Sequence, residues 1–138
     1  MVRFDVRAFT KDEKTFDIEM QRSRHSDFED RAVLYSAMLT VSTKMDLDQN
    51  ILNISRNRAI GRYEIPKVIS IWICKFERPE SVNYREEWGL YRKSDIGNSS
   101  ALPVNDKINS IFIELPKFEK TFKELKTAEE SWLYLLKN

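Results

Sequence analysis

The sequence predicts one domain of mixed α and β structure, with elements in the order strand, strand, helix, strand, strand, strand, helix. Three observations lead to this prediction. Two N-terminal runs alternate apolar and polar residues, a later run is apolar almost throughout, and two segments begin with helix-capping patterns. A chain of 138 residues that is 41% apolar and 33% charged has the size and composition of a globular domain. The predicted fold class is therefore α+β or α/β, in a single domain over residues 1–138.

The first two predicted strands form a β-hairpin over residues 2–9 and 15–21, joined by a short charged turn. Side chains alternate between the two faces of a strand, so the second run carries three apolar residues on one face. Its other face is polar and carries Asp17, Glu19 and Gln21.

The segment after the hairpin predicts a helix from about Asp27 to Thr43, with Ser26 as the N-cap and Glu29 completing a capping box. One face of this helix is apolar and consists of Phe28, Ala32, Tyr35, Met38 and Leu39. Residues 44–63 have weak periodicity, and we expect a partly helical connection there.

Residues 67–76 are apolar and β-branched almost throughout, which is typical of a central strand buried on both faces, often with parallel neighbours. Two further strands follow, the second ended by Pro116. The last helix begins with a capping box of Thr127 and Glu130. It is expected to bury Trp132, Leu135 and Leu136.

Composition narrows the classes of partner and compartment. The net charge of +1 creates no global attraction to nucleic acid or membrane, so any such contact would need a local patch. The single cysteine, Cys74, cannot form an internal disulfide and lies in an apolar run, which fits a reducing compartment. Neither a signal peptide, a membrane span nor a phosphate-binding glycine loop is visible. We therefore expect a cytoplasmic protein without a nucleotide cofactor.

One pair of carboxylates in the hairpin is a candidate metal site. If Asp5 lies opposite Glu19, the turn is centred on Asp12, and this requires a loop with an odd number of residues or a bulge. Two carboxylates on neighbouring strands repel unless a hard divalent cation takes oxygen ligands from both. The alternative is an ordinary solvated polar face, which is common in hairpins.

Two groups of basic residues are candidates for contact with DNA phosphates. The first surrounds the start of the first helix and contains Arg22, Arg24, His25 and Arg31. A helix N-terminus also favours anions. The second group contains Arg56, Arg58, Arg62 and Lys67. For both groups a hydrated surface is the alternative interpretation.

Six landmarks in this sequence occur in a recognisable order. They are "DVRA", "DIEMQ", "RAVLYSAML", "KVISIWICKF", "IELPKF" and "WLYLLKN". Together they resemble the PD-(D/E)xK nuclease family transposases, also called recombination-promoting nucleases, over most of the chain. The resemblance implies a restriction-endonuclease-like core, in which a hairpin, a helix and a central strand form the active site of a mixed sheet flanked by helices.

The resemblance also implies roles for individual residues. Asp5 matches the aspartate of the family motif, Glu19 matches its second acidic position, and Gln21 stands where the wider superfamily has lysine. Asp5 and Glu19 would then bind Mg²⁺ or Mn²⁺, and Gln21 would hold the attacking water. The implied function is a Mg²⁺-dependent DNA endonuclease with Asp5, Glu19 and Gln21 as catalytic residues.

In related proteins a further helix and strand precede the matched aspartate, so the chain is expected to be truncated at its N-terminus relative to the family. The alternative function is therefore an inactive remnant that acts as a DNA-binding or self-associating module. Without that first strand, residues 67–76 are expected to have an unpaired side. This expectation predicts a homodimer formed through an exposed sheet edge.

Overall fold

A five-stranded mixed sheet with one helix packed on each face forms the fold in the computed structural model, which describes residues 5–49 and 60–138. The strands are β1 (Val6–Phe9), β2 (Lys14–Gln21), β3 (Lys67–Cys74), β4 (Arg85–Leu90) and β5 (Asn105–Glu114). The helices are α1 (Phe28–Asp48) and α2 (Ala128–Lys137). The predicted α+β class and the predicted order of elements are both confirmed.

The strands are arranged in the spatial order β1-β2-β3-β5-β4. The three inner strands β2, β3 and β5 run parallel, and β1 and β4 pair antiparallel at the edges. The prediction that residues 67–76 contain a central strand with parallel neighbours is confirmed. The expected unpaired side of this strand is wrong, because the chain passes through edge strand β4 and then returns as β5 to lie beside β3. A dimer through that edge therefore loses its structural basis.

The hairpin has the register that the carboxylate pairing requires. Val6 lies opposite Ile18, and Phe9 lies opposite Thr15. The N–H of Thr10 donates to the carbonyl of Lys14 at 2.9 Å, which leaves residues 11–13 as the loop. Within this loop Glu13 has a φ of 63°, the left-handed conformation typical of three-residue hairpin loops. The expected odd-length loop is confirmed.

Helix α1 differs from its prediction at both ends. Asp27 is its N-cap and makes no side-chain capping bond, so the predicted capping box of Ser26 and Glu29 is wrong. Glu29 instead pairs with Arg24 at 2.6 Å. The helix continues past Thr43 to Asp48, so the first part of the expected connection is helical. Residues 50–59 of that connection lie outside the described residues.

The inner face of α1 packs on the sheet through aromatic and small side chains. Phe28 contacts the rings of Trp72 and Phe112 with centroid distances of 5.6 and 5.8 Å. Further along the helix, the Ser36 hydroxyl lies 3.2 Å from that of Ser70 on β3. Met38 was expected on this face but is 39% exposed. The actual inner face runs through Ala32, Ser36, Leu39 and Thr43, and it is more polar than predicted.

Helix α2 packs on the other face of the sheet. Its predicted capping box is confirmed, since the N–H of Glu130 donates to Thr127 Oγ1 and the N–H of Thr127 donates to Glu130 Oε1, each at 3.1 Å. The predicted burial of this helix is wrong, because three exposed residues were expected to be buried: Trp132, Leu135 and Leu136. Leu133 is buried instead. The helical turn that contains Glu130 and Leu133 packs against the sheet.

Two further observations concern membrane-spanning helices and the single cysteine. Among the described residues, no helix has the length and apolar character needed to cross a membrane. Cys74 is fully buried at the end of β3, and this burial raises the pKa of its thiol to about 12. The thiol is therefore protonated and inert at neutral pH.

Candidate active site

The hairpin brings Asp5 and Glu19 together. The backbone N–H of Asp5 donates to Glu19 Oε1 at 3.2 Å, and the backbone N–H of Met20 donates to Asp5 Oδ2 at 3.1 Å. Each carboxylate is thus held by a main-chain donor of the other strand. Asp5 lies at the surface, whereas Glu19 is only 2% exposed beneath α1. The interpretation as an ordinary solvated face therefore fails for Glu19.

A third carboxylate, Asp17, lies on the same face of β2 and is fully buried. Neither of its oxygens accepts a hydrogen bond from any described residue. Arg7 is its cross-strand partner, but the Arg7 guanidinium instead donates to Thr43 at 2.8 Å and Asp46 at 3.2 Å on α1. The sequence analysis did not select Asp17 as a site residue, although the alternation placed it on the face of Glu19.

Burial raises the pKa values of Glu19 and Asp17 above those of exposed carboxyl groups. It raises the pKa of Glu19 to about 8; a hydrogen bond with the Asp5 side chain and the negative charge of Asp17 act in the same direction, whereas the backbone N–H of Asp5 lowers the pKa. Burial also raises the pKa of Asp17 to about 6, with a contribution from the negative charge of Asp5. Negative charge is therefore costly at this point of the fold, and a bound cation would relieve that cost.

The wall of the site beside Glu19 is aromatic. Trp72 of β3 is the register partner of Glu19, and its indole Nε1 is buried without a hydrogen-bond partner in the described part of the chain. The guanidinium of Arg31 lies 6.0 Å from the centroid of the Trp72 ring and 5.1 Å from that of the Tyr35 ring. Arg31 also donates to the Tyr35 hydroxyl at 3.2 Å. Arg31 therefore lies against the protein and caps the aromatic wall.

Gln21 completes the polar face of β2 and is 8% exposed. Its side-chain nitrogen Nε2 donates to the carbonyl of Ser23 at 3.1 Å. The amide is thus oriented by the chain just after the strand. The side-chain oxygen and the second N–H of the amide remain able to hold a water molecule.

The basic residues near the start of α1 have different surroundings. Arg24 forms ion pairs with Glu29 at 2.6 Å and with Glu80 at 2.7 Å. Arg22 and His25 are exposed. Since Arg24 is neutralised by two carboxylates and Arg31 is stacked on aromatic rings, Arg22 is the arginine of this group best placed to meet a phosphate.

The second basic group is described only at Arg62 and Lys67. Arg56 and Arg58 are outside the described residues, and the guanidinium of Arg62 lies 5.4 Å from the centroid of the Tyr63 ring. Lys67 pairs with Asp106 at 3.7 Å. Lys67 also lies opposite Lys14, the first residue of β2. Lys14 precedes Glu19 by about 16 Å along the strand. The structure therefore does not bring Lys67 to the hairpin carboxylates.

A metal ion at this site would have two protein ligands, Asp5 and Glu19. Among the described residues, no three histidine, cysteine, aspartate or glutamate side chains are grouped so that they could hold a metal together. The fit of a divalent cation rests on the buried, unpartnered oxygens of Asp17 beside Glu19 and on the hard oxygen donors of the pair. Water and phosphate oxygens would occupy the other coordination positions.

Comparison with known proteins bears on this arrangement. A search of curated proteins and a search of solved structures each find no match. A family model described as PD-(D/E)XK nuclease family transposase matches residues 1–138, the whole chain. The mixed five-stranded sheet with a helix on each face agrees with the restriction-endonuclease-like fold of such nucleases. The chain is therefore a member of the PD-(D/E)XK nuclease family transposases.

Proposed function

We propose that the protein is a Mg²⁺- or Mn²⁺-dependent DNA endonuclease of the recombination-promoting type, which acts on DNA in the cytoplasm. The observation that carries this proposal is the reciprocal hydrogen bonding of Asp5 and Glu19 across the hairpin. Backbone donors hold both carboxylates in place, so the pair is organised before a metal or DNA arrives. Membership of the nuclease family supports DNA as the substrate.

Asp5 and Glu19 would hold the metal ion, and Gln21 would act beside them. When bound, such an ion polarises the scissile phosphate and lowers the pKa of a bound water. Glu19 must be ionised to act as a ligand, so metal binding competes with the proton that its raised pKa favours. The buried carboxyl of Asp17 adds negative potential that attracts a divalent cation as well as this proton.

Gln21 would position the attacking water, because an amide neither gains nor loses a proton near neutral pH. Its orientation by the Ser23 carbonyl restricts the amide to few geometries. DNA would approach from the side of exposed Asp5, since Glu19 is covered by α1. Arg22 follows Gln21 directly and would contact a phosphate there.

The test is cleavage of supercoiled plasmid with Mg²⁺ or Mn²⁺. We expect Asp5→Ala and Glu19→Ala to lower the cleavage rate by at least roughly 100-fold, because either change removes a metal ligand. Asp12→Asn, which changes an exposed carboxylate in the turn of the same hairpin, is the matched control and should cut at the wild-type rate. Unchanged cleavage by Glu19→Ala would show that the site has been assigned wrongly.

Calorimetric titration with Mn²⁺, with and without a short DNA duplex, separates binding from chemistry. Two protein ligands leave the ion largely hydrated, so we expect weak binding that tightens when the duplex adds phosphate oxygens. Asp5→Ala and Glu19→Ala should each abolish this DNA-dependent gain. Gln21→Ala should keep it and reduce only the rate of cutting, because the amide holds water and not metal.

A second candidate function is a non-cleaving DNA-binding module. The observation that favours it is the burial of Glu19 and Asp17 beneath α1, which limits access to the carboxylates. This function would hold if the wild type binds duplex DNA, cuts none with either metal, and loses binding on Arg22→Ala. Weaker duplex binding at higher salt would accompany it, because phosphate contacts release counterions.

A further inference from the structure

A cavity of about 300 Å³ lies between α1 and the edge strand β4. Small residues from three elements leave this space open: Ser36 and Ala37 on α1, Gly89 on β4 and Ser110 on β5. The rest of the lining is aliphatic or aromatic and consists of Val33, Trp88, Leu90 and Ile108. None of these side chains is ionisable. A ligand in the cavity would therefore be neutral, because a buried charge needs a partner.

Three serine hydroxyls form a hydrogen-bonded chain at this cavity. Ser36 Oγ lies 3.2 Å from Ser70 Oγ and 3.0 Å from Ser110 Oγ. All three serines are buried, with at most 6% of their surface exposed. Within the part of the chain that the structure describes, their hydroxyls make no other hydrogen bond.

The serine chain has one hydrogen more than its contacts can use. Each hydroxyl carries a single hydrogen, and the two contacts between oxygens use two of the three. Ser36 and Ser110 line the cavity, whereas Ser70 does not. When the hydrogen bonds run from Ser70 through Ser36 to Ser110, the remaining hydrogen belongs to Ser110 and is free to point into the cavity. A buried donor without an acceptor is costly, so an acceptor placed in the cavity is favoured.

The opposite wall of the cavity contains a fixed aromatic ring. The ring of Trp88 packs on that of Phe112 with a centroid distance of 4.3 Å, and its Nε1 donates to Glu86 at 3.0 Å. A ring held in this way favours a second aromatic ring beside it. The cavity volume lies at the lower end of the range for ligand pockets, so the space fits one or two fused rings.

We propose that this cavity binds a small, neutral heteroaromatic molecule whose ring carries a hydrogen-bond acceptor. The ring lies beside Trp88, and its acceptor takes the remaining hydrogen of Ser110. Val33 and Leu90 are 60 and 48% exposed, so the cavity is open to solvent at its rim. The site uses neither Asp5 nor Glu19, and it is therefore independent of the proposed nuclease activity.

Titration of the full chain with quinoline tests the site. Quinoline is a neutral fused ring with one acceptor, whereas indole is of similar size and has a donor instead. We expect quinoline to bind with a dissociation constant on the order of 1 mM. Indole should bind at least roughly 5-fold more weakly, because a donor leaves the remaining serine hydrogen unsatisfied.

Nitrogen-15 NMR of the indole N–H of Trp88 follows the titration, and Trp88→Phe identifies this signal. The signal should shift with quinoline because Trp88 lines the cavity. The proposal is overturned if quinoline up to about 10 mM causes no shift, or if indole binds as tightly as quinoline.

A double serine variant tests the hydrogen bond. Ser36→Ala combined with Ser110→Ala removes both hydroxyls that line the cavity and should weaken quinoline binding at least roughly 5-fold. Ser99→Ala combined with Ser100→Ala changes two exposed serines, and this matched control should bind like the wild type. Unchanged quinoline binding by the Ser36 and Ser110 variant overturns the proposal.

A filling variant tests the location without touching the serines. Ala37→Leu should abolish quinoline binding, because the larger side chain occupies the cavity. Ala128→Leu, at the exposed start of α2, is its control and should bind like the wild type. Circular dichroism verifies that each variant remains folded. Quinoline binding by a folded Ala37→Leu variant at the wild-type affinity overturns the proposal.

Discussion

The two faces of β2 are built in opposite ways. The face toward α1 carries Asp17, Glu19 and Gln21, and all three side chains are buried. The other face carries apolar side chains, yet Phe16 and Ile18 are only partly buried and Met20 is 40% exposed. A strand that served stability alone would show the reverse, with its apolar side inward.

The difference separates a side of β2 that contributes apolar surface from one that buries carboxyl groups. On the α2 side the sheet buries aliphatic residues such as Ile73 and Ile113 against Leu133, which stabilises the fold by removing apolar surface from water. On the α1 side, Asp17 and Glu19 are buried, and no lysine or arginine in the described part of the chain forms an ion pair with either of them. Burial of that kind destabilises a fold unless a ligand or a proton compensates it.

The largest effect should come from the core between the sheet and α2. Leu133→Ala should lower the free energy of unfolding by about 3 kcal/mol, because it leaves a cavity in that core. Trp132→Ala, on the same helix but 67% exposed, should cost less than about 1 kcal/mol. Urea denaturation followed by circular dichroism gives both values. Equal costs would mean that α2 packs on the sheet with a different face.

The two buried carboxyl groups on the α1 side of the sheet should make the metal-free protein less stable as the pH rises. The folded pKa of Asp17 is raised to about 6 and that of Glu19 to about 8, so the folded chain retains protons that the unfolded chain releases. The stability that these two groups contribute is then fully present below about pH 4, and we expect it to be lost progressively between pH 4 and 8.

Urea denaturation in a chelating buffer at intervals across this pH range measures the loss. Adding Mn²⁺ at pH 8 should restore part of the stability, because the ion binds the folded state only. A stability that rises steadily from pH 5 to 8 without metal would contradict the burial of these carboxyls.

Removing the buried charge of Asp17 should stabilise the folded protein. Asp17→Asn should raise the free energy of unfolding at pH 8 by about 1 kcal/mol and flatten its pH dependence, because a neutral amide costs less to bury than a carboxylate. Asp106→Asn, at an exposed carboxylate, is the control and should change stability little. Destabilisation by Asp17→Asn equal to a core substitution would contradict this account.

The smallest effects distinguish the two helix starts. Thr127→Ala should destabilise the protein by about 1 kcal/mol, since it removes the hydrogen bond that Thr127 Oγ1 accepts at the start of α2. Ser26→Ala should change stability by less than about 0.5 kcal/mol, because Ser26 makes no capping bond at the start of α1. Thermal unfolding of both variants measures the difference, and a larger loss for Ser26→Ala would reverse the assignment.

Much of the fold could be predicted because it depends on local patterns. The period-two alternation identified the hairpin, the continuous apolar run identified β3, and Thr127 with Glu130 identified the start of α2. The pairing of Asp5 with Glu19 was also predictable, since it depends on the hairpin register. The capping pattern at Ser26 failed because the helix has Asp27 as its N-cap and Glu29 pairs with the nearby Arg24.

The sequence by itself determined the elements, their order and which residues share a face of each strand. The tertiary structure alone decided which face of β2 meets a helix, and thereby that Asp17 and Glu19 are buried. It also decided that β5 lies beside β3 and that Met38 faces outward on α1. The physical reason is that alternation along a strand assigns side chains to two faces, whereas packing against distant segments of the chain decides which face is buried.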